Sequence, residues 1–240
     1  MLRRISRRLK REFNVRRIPT MSLDNDAYFG ELARSLKSAL EVGGSELGLG
    51  LTLFSLVVST RAEKIIEIGR FKVFSTLALA GGLRFVDWGW TEPKEAMQRH
   101  AEIDYEKLHG WKERRLYSID PTPTKEAEER VRRNNLSGYV EFINANSQDV
   151  KLDVVADVLF IDGDHSYEGC RRDVEQYVTH NLKQGGYFVL HDYFGWFDEH
   201  GTNKSPIKKV CDELEKTSSW EHILIDTHYA SFKLFRKTNG

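Results

Sequence analysis

Two acidic residues and a histidine are crowded in the segment IDGDHSYEG, at residues 161–169. One residue separates Asp162 from Asp164, and His165 follows directly. Carboxylates this close raise each other's pKa, and a bound cation relieves the repulsion. Hard cations such as Mg²⁺ take oxygen ligands. The segment therefore predicts a divalent-cation site, while the alternative is that Asp164 or Ser166 only caps the helix that follows.

Polar residues also follow other apolar runs of the chain. His191 and Asp192 come after the run at 187–190 and can complete the same cation site if the two strands are neighbours. Asp120 follows the run at 116–119, where an acid can bind both hydroxyls of a ribose. The alternative for Asp120 is a turn residue before proline.

The segment from Glu67 to Gly69 follows the first predicted strand. A glycine there lets a ligand approach the backbone closely. The next helix starts near Ser75 and Thr76, where free N–H groups can receive a carboxylate. The alternative is an ordinary turn in which Ser75 or Thr76 caps the helix.

The elements that carry these residues alternate between strand and helix from residue 64 to 216. Predicted strands cover 64–68, 116–119, 140–143, 158–161 and 187–190, and two more cover 221–237. Predicted helices cover 22–40, 46–60, 74–80 (ending at Gly81-Gly82), 125–134, 167–182 and 208–216. This order predicts an α/β fold: a doubly wound, mostly parallel, seven-stranded Rossmann-like sheet with a C-terminal antiparallel hairpin and N-terminal helices. Ligands bind such sheets at the carboxyl ends of the strands.

Composition excludes several classes of protein. The 240 residues carry a formal net charge of zero, so nothing global indicates nucleic acid. The basic N-terminus lacks the apolar stretch of a signal peptide, and the run at 47–58 is too short and glycine-broken for membrane insertion. Cys170 and Cys211 suit a reducing compartment, so a cytoplasmic location is expected. We expect a basic segment with one helix at 1–43 and a single domain at 44–240.

Three segments resemble class I S-adenosylmethionine-dependent methyltransferases. They are residues 62–80 (AEKIIEIGRFKVFSTLALA), 116–124 (LYSIDPTPT) and 158–192 (VLFIDGDHSYEGCRRDVEQYVTHNLKQGGYFVLHD). The most similar branch carries an IDGxHxYE motif and is related to metal-dependent O-methyltransferases of antibiotic sugars and macrolides. The third segment is the most specific, and the resemblance covers roughly residues 45–237.

The resemblance implies S-adenosyl-L-methionine as the cofactor and a divalent metal, with Mg²⁺ expected. Cofactor-binding positions would be Glu67, Gly69, Ser75, Thr76, Asp120, Ser147 and Asp162. Metal ligands would be Asp162, His191 and Asp192, where the histidine nitrogen shifts the preference towards softer ions. The general base would be either Asp164 or His165.

Val73 stands where the family usually has glycine. A β-branched residue disfavours positive φ, so the loop could receive the cofactor poorly. A non-catalytic protein with this fold is therefore one alternative function. A nicotinamide-dependent oxidoreductase is another, although the chain lacks a GxGxxG motif.

The acceptor is expected to be a small molecule with several hydroxyl groups, because a vicinal diol or a catechol chelates a metal well. Trp88, Trp90, Trp196 and Phe197 could stack on it. The alternatives for these aromatics are a contact within a homo-oligomer or the core of a lid.

Overall fold

A computed structural model describes residues 47–89, 113–122, 125–195, 199–226 and 231–238. The basic N-terminal segment with its predicted helix lies outside the described residues, and so do Trp90, Trp196 and Phe197. The side chain of Trp88 lies outside them as well.

The strands form a single seven-stranded sheet, as predicted. They are β1 (Lys64–Ile68), β2 (Arg115–Ile119), β3 (Val140–Ile143), β4 (Ala156–Ile161), β5 (Leu182–His191), β6 (Trp220–Asp226) and β7 (Ser231–Lys237). Their spatial order is β3-β2-β1-β4-β5-β7-β6. The first five strands pair in parallel, and β7 is antiparallel to both of its neighbours. The predicted α/β fold class is confirmed.

Helices cover both faces of the sheet, because the central strands are apolar on both sides. One face packs against α1 (Leu47–Thr60), α2 (Phe74–Gly89) and α3 (Lys125–Arg133). The other face packs against α4 (Tyr167–Asp173) and α5 (Pro206–Glu215). Among the described helices, none has both the length and the apolar character needed to cross a bilayer.

The predicted end of α2 at Gly81-Gly82 is wrong, because the helix continues to Gly89. A Cβ added at Gly82 would lie 2.8 Å from the Cβ of Val57 in α1. Glycine here allows α1 and α2 to approach closely, which outweighs its cost of about 1 kcal/mol inside a helix. The glycine pair is a packing feature and not a helix stop.

The predicted boundary between α4 and β5 is also wrong. Directly after its last residue, Asp173, α4 continues into a π-helical turn at Val174–Val178. The strand β5 already begins at Leu182. The pairing of β4 with β5 shifts register between Ala156 and Val158, opposite the glycine pair at 185–186. These glycines accommodate a bulge inside a strand and do not end a helix.

The strand order reverses between β1 and β4, which are neighbours at the centre of the sheet. The chain runs outward from β1 to β2 and β3 on one side, and from β4 to β5 on the other. A crevice therefore opens beyond the carboxyl ends of β1 and β4, which is the usual position of a ligand in a doubly wound sheet.

Candidate active site

A cleft of about 930 Å³ opens at this switch point. Its volume is within the range of small-molecule and cofactor sites. It brings together most of the predicted site residues: Gly69, Asp120, Ser147, Asp162, Asp164, His165, His191 and Asp192. Glu67, Ser75 and Thr76 do not line it.

Gly69 lies where the backbones of β1 and β4 come closest. Its φ is +81°, and a Cβ built on it would lie 2.1 Å from the carbonyl oxygen of Asp162. The amide of Asp162 donates to the carbonyl of Ile68 over 2.8 Å, which fixes this approach. Only glycine fits here, for steric and conformational reasons together.

Val73 adopts the left-handed conformation, with a φ of 62°. This is a strained conformation for a β-branched residue, and it is the one that a glycine would adopt readily. Phe71, in the same loop, also has a positive φ of 40°. The valine has therefore not forced the loop out of a glycine-like shape.

Asp120 is tied to the loop after β1 by hydrogen bonds. Its Oδ2 accepts from the backbone N–H groups of Arg70 at 3.0 Å and Phe71 at 3.2 Å. Its Oδ1 accepts from the N–H of Thr122 at 2.7 Å. A carboxylate offers about four lone-pair sites, so capacity remains for a further donor. Its predicted contact with a ribose stays a prediction.

Glu67 lies beneath the cleft and is fully buried. It accepts hydrogen bonds from the hydroxyls of Ser75 (2.6 Å), Thr76 (2.7 Å) and Ser118 (2.6 Å). Burial raises the pKa of Glu67, although the three hydroxyls and Arg70 act in the opposite direction. The group ties β1, β2 and the start of α2 together, and its predicted contact with the cofactor stays a prediction.

Ser147 reaches the cleft from the segment after β3. Its hydroxyl donates to Asp173 over 2.6 Å, and its carbonyl accepts from the Tyr177 hydroxyl, also at 2.6 Å. Burial raises the pKa of Asp173, and the bond from Ser147 opposes that shift. Tyr177 belongs to the π-helical turn, a feature that is frequent at functional sites. The turn thus positions Ser147, the part of the cleft lining near which the adenine is predicted to lie.

The acid–histidine cluster lies at the carboxyl ends of β4 and β5. Asp162 Oδ1 lies 3.1 Å from His165 Nε2 and 3.0 Å from His191 Nδ1. Asp192 Oδ1 lies 3.2 Å from His191 Nδ1, and Asp192 Oδ2 lies 3.5 Å from His165 Nδ1. Ligand atoms of Asp162, His165 and Asp192 all lie within 4.8 Å of one another.

These groups perturb each other's protonation. Burial acts to raise the pKa of Asp162, but hydrogen bonds from His165 and His191 outweigh it and lower that pKa. The bond to Asp162 raises the pKa of His165. Burial acts to lower the pKa of His191, and Asp162 and Asp192 reverse this and raise it. The cluster thus favours a charged Asp162 carboxylate facing two imidazoles, which is a perturbation typical of functional sites.

His191 and Asp192 are held differently from the exposed His165. His191 is 9% exposed, and its Nε2 has no hydrogen-bond partner among the described residues. Asp192 has a positive φ of 55°, and its carbonyl accepts from the buried hydroxyl of Ser205 over 2.8 Å. The segment that leads into α5 thus fixes the backbone of a predicted metal ligand.

Asp164 and Ser166 belong to the start of α4. Asp164 Oδ1 accepts from the N–H of Ser166 over 2.9 Å, and Ser166 caps the helix by accepting from the N–H of Gly169 over 3.0 Å. Hydrogen bonds from the backbone and the side chain of Ser166 lower the pKa of Asp164. Asp164 therefore points its carboxylate partly at the helix, whereas His165 lies between Asp162 and Asp192.

The family model described as a methyltransferase domain matches residues 94–193. This part of the chain is therefore similar to a methyltransferase domain. The matched region includes β2 to β5 and the acid–histidine cluster. The resemblance to class I S-adenosylmethionine-dependent methyltransferases is confirmed. No curated protein is similar enough in sequence to count as a match.

Solved structures with the same fold are methyltransferases as well. An O-methyltransferase from Bacillus cereus in complex with SAH is 16% identical, with a TM-score of 0.61, and the match covers 87% of this chain and 91% of that one. The O-methyltransferase TomG from Streptomyces achromogenes, involved in tomaymycin synthesis, is 18% identical, with a TM-score of 0.57 and coverages of 90% and 96%. The SAH-bound methyltransferase PaMTH1 from Podospora anserina is 13% identical, with a TM-score of 0.63 and coverages of 92% and 98%. At these identities the likeness shows the fold alone.

Sequence reasoning missed the residues that hold the site together. Arg70, Ser118, Asp173 and Ser205 are buried, and each contacts a predicted site residue. The only available signal was a polar side chain inside an apolar strand, at Ser118. The other contacts join segments far apart in the chain, so no local pattern reports them.

Proposed function

We propose that this protein transfers the methyl group of S-adenosyl-L-methionine to a hydroxyl of a small polyhydroxylated acceptor, assisted by a divalent metal. The observation that carries the proposal is the cleft itself, which joins the predicted cofactor positions Gly69, Asp120 and Ser147 to the cluster at Asp162 and Asp192. A methyl donor at the first set and an acceptor at the second would share one cavity.

The cofactor would lie across the switch point. Gly69 leaves room for it beside the backbone, and Asp120 offers its remaining lone pair to a ribose hydroxyl. Ser147 would border the adenine. The sulfonium methyl is already activated, so positioning in line with the acceptor oxygen can supply about 7–11 kcal/mol of the barrier.

The donor set of the cluster suits a divalent cation. Two carboxylates and two imidazole rings converge, and crowded carboxylates are costly without a cation. Asp162, His191 and Asp192 would hold the metal. A metal there would lower the pKa of an acceptor hydroxyl, as it lowers that of bound water. A vicinal diol or catechol offers two oxygens to such a site, which is why we propose a polyhydroxylated acceptor.

His165 is the proposed general base. Its side chain is 54% exposed, so it can reach an acceptor in the cleft, and Asp162 and Asp192 flank its two nitrogens. Asp164 is the weaker candidate because its Oδ1 already accepts the N–H of Ser166 at the start of α4. Proton transfer to a positioned base typically contributes about 10²–10⁴-fold.

Methyl transfer from labelled S-adenosylmethionine to a panel of catechols and sugar diols tests the proposal. We expect transfer with Mg²⁺ or Mn²⁺ and loss of transfer after chelation with EDTA. Asp162→Asn should lower turnover at least about 100-fold, as loss of a metal ligand predicts. The matched control is Asp153→Asn, which removes an exposed carboxylate outside the cleft. Full transfer in EDTA by the wild-type protein would contradict the metal role.

The non-catalytic alternative predicts a different result in the same assay. It rested on Val73 deforming the loop, but a φ of 62° keeps that loop glycine-like. If the wild-type protein binds neither S-adenosylmethionine nor SAH by calorimetry, the non-catalytic reading replaces the proposal. Binding of NADH in place of these ligands would favour an oxidoreductase.

A further inference from the structure

We infer that Arg70 is a positioning residue for cofactor binding. It holds the loop after β1 in a conformation with positive φ at Val73, which a β-branched residue disfavours. In this role it keeps Asp120 available for the ribose. The inference rests on the proposed function only for the identity of the ligand. The shape of the loop can be tested without any ligand.

The loop has an unusual alternating backbone. Gly69, Phe71 and Val73 all have positive φ, at 81°, 40° and 62°, while Arg70 and Lys72 between them do not. Such alternation points successive N–H groups into one concavity, called a nest, which binds an anion. Here the anion is the side chain of Asp120, which accepts from the N–H groups of Arg70 and Phe71.

This shape is costly without glycine. A left-handed conformation costs a non-glycine residue roughly 1–2 kcal/mol. Phe71 and Val73 both carry that cost, and it is higher for a β-branched side chain. Val73 is also fully buried in the hydrophobic core, so the loop cannot relax outward without exposing it. The surrounding structure must therefore impose the conformation.

The side chain of Arg70 is the anchor that can impose it. Its guanidinium is buried, with Nη1 donating to the carbonyl of Ser118 at 2.8 Å and Nη2 to Asn144 Oδ1. It also lies 5.0 Å over the ring of Phe142. These contacts fix Arg70 to the carboxyl ends of β2 and β3, which are the first and second strands beyond β1 on that side of the sheet.

The backbone of Arg70 passes this constraint to Val73. The carbonyl of Arg70 accepts from the N–H of Val73 over 2.6 Å. A fixed Arg70 therefore holds Val73 in its tight turn, while its N–H stays on Asp120. Arg70 thus links the strained Val73 to Asp120, the acid that is predicted to bind the ribose.

A double-mutant cycle tests the link by isothermal titration with SAH. Arg70→Met should weaken SAH binding about tenfold, the change that 1.4 kcal/mol produces. In a Val73→Gly background the same change should weaken binding by less than about threefold, because glycine adopts the loop shape unaided. Val73→Ala is the matched control: it also removes methyl groups from the core but keeps the Cβ, so the tenfold loss should persist.

Amide hydrogen exchange of the unliganded protein gives a second readout. Arg70→Met should speed exchange at the N–H groups of residues 70, 71 and 73 in the valine background, and much less with glycine at 73. Arg114→Met, which removes a buried guanidinium before the amino end of β2, should lower stability without changing this exchange or SAH affinity. If Arg70→Met unfolds the protein, Arg70→Lys serves in the same cycle with a smaller expected loss.

The two readouts separate failure of this inference from failure of the proposed function. Equal effects of Arg70→Met in the valine and glycine backgrounds, or no effect in either, would overturn the role of Arg70. If wild-type protein does not bind SAH, the proposed function fails, and exchange alone then decides whether Arg70 holds the loop.

Discussion

The two ends of the parallel strands are built by different rules. At the amino end, Asp157 accepts from the N–H groups of Glu63 at 2.6 Å and Lys64 at 2.9 Å and pairs with Lys183. At the carboxyl end, His165 and His191 each lie within 3.5 Å of both the Asp162 and the Asp192 carboxylates. Asp157 is satisfied by partners within the fold, whereas the groups at the carboxyl end line the cleft.

Backbone strain follows the same division. Among the described residues away from the cleft, the non-glycine residues with positive φ are Arg61, directly after α1, and Asn135, two residues after the end of α3, and both are ordinary helix C-terminal caps. At the cleft they are Phe71 and Asp192, and Val73 lies in the same loop as Phe71; all three come after strands. Such residues cost roughly 1–3 kcal/mol each and concentrate at functional sites. The fold thus carries strain where the ligand is proposed to bind.

The largest expected effect comes from comparing a glycine at each end. Gly69 and Gly185 both have positive φ, but an added Cβ clashes with the Asp162 carbonyl only at Gly69 and meets nothing within 4 Å at Gly185. Gly69→Ala should cost roughly 2–5 kcal/mol, as the sum of left-handed strain and overpacking. Gly185→Ala should cost about 1–2 kcal/mol, from strain alone. Urea unfolding measures both, and similar costs would show that the close approach is not needed.

The sequence predicted the parts of this comparison that depend on local pattern. β1 and β3 have the predicted bounds, Lys64–Ile68 and Val140–Ile143, although each strand contains one glutamate. The glycine pairs at 81–82 and 185–186 were misread, since their reason is a neighbouring helix or strand and not the local chain. The site residues after each strand were predicted because parallel strands share one carboxyl edge.

The contacts that organise those residues could not be predicted. Arg70 reaches Asn144, and Ser147 reaches Asp173, across long stretches of intervening chain. Such pairs depend on strand order and helix placement, which composition and periodicity do not determine. The sequence thus predicts which residues lie at the site, while the orientation of their side chains depends on contacts that form only in the folded chain.

The next largest effect separates the two histidines of the cluster. Under the proposed assignment, His191→Gln should weaken Mn²⁺ binding at least about tenfold, because a metal ligand is lost. His165→Gln should leave Mn²⁺ affinity nearly unchanged and lower turnover about 100-fold, because a base is lost. Calorimetry with Mn²⁺ measures the first quantity and single-turnover methyl transfer the second.

The reverse result for the histidines would identify a different metal site. If His165→Gln abolishes Mn²⁺ binding and His191→Gln does not, the ligands are Asp162, His165 and Asp192, whose ligand atoms also lie within 4.8 Å. His191 would then hold Asp162 through Nδ1 and leave its buried Nε2 as an unpaired acceptor. His180→Gln, an exposed change outside the cleft, is the control.

A smaller effect is expected from the support of Asp192. Ser205→Ala removes the donor to the Asp192 carbonyl and leaves that group with one bond fewer, at a cost of about 1 kcal/mol. Mn²⁺ affinity should fall roughly fivefold, in proportion to that energy. Ser137→Ala, at an exposed position, should change neither quantity. Unaltered Mn²⁺ affinity in Ser205→Ala would mean that Asp192 keeps its conformation unaided.

The smallest effect concerns Glu67, the buried acid beneath the cleft, and it appears as a slope with pH. Because burial raises its pKa in the folded state above the ordinary value of 4.5, the folded protein binds more protons than the unfolded chain above that pH. The unfolding free energy should therefore fall as pH rises through the window that begins near 4.5. Glu67→Gln cannot titrate, so it should gain stability relative to wild type across that window in urea unfolding. A relative loss would instead mean that the hydroxyls of Ser75, Thr76 and Ser118 favour the carboxylate more than burial disfavours it, and that this acid is held charged.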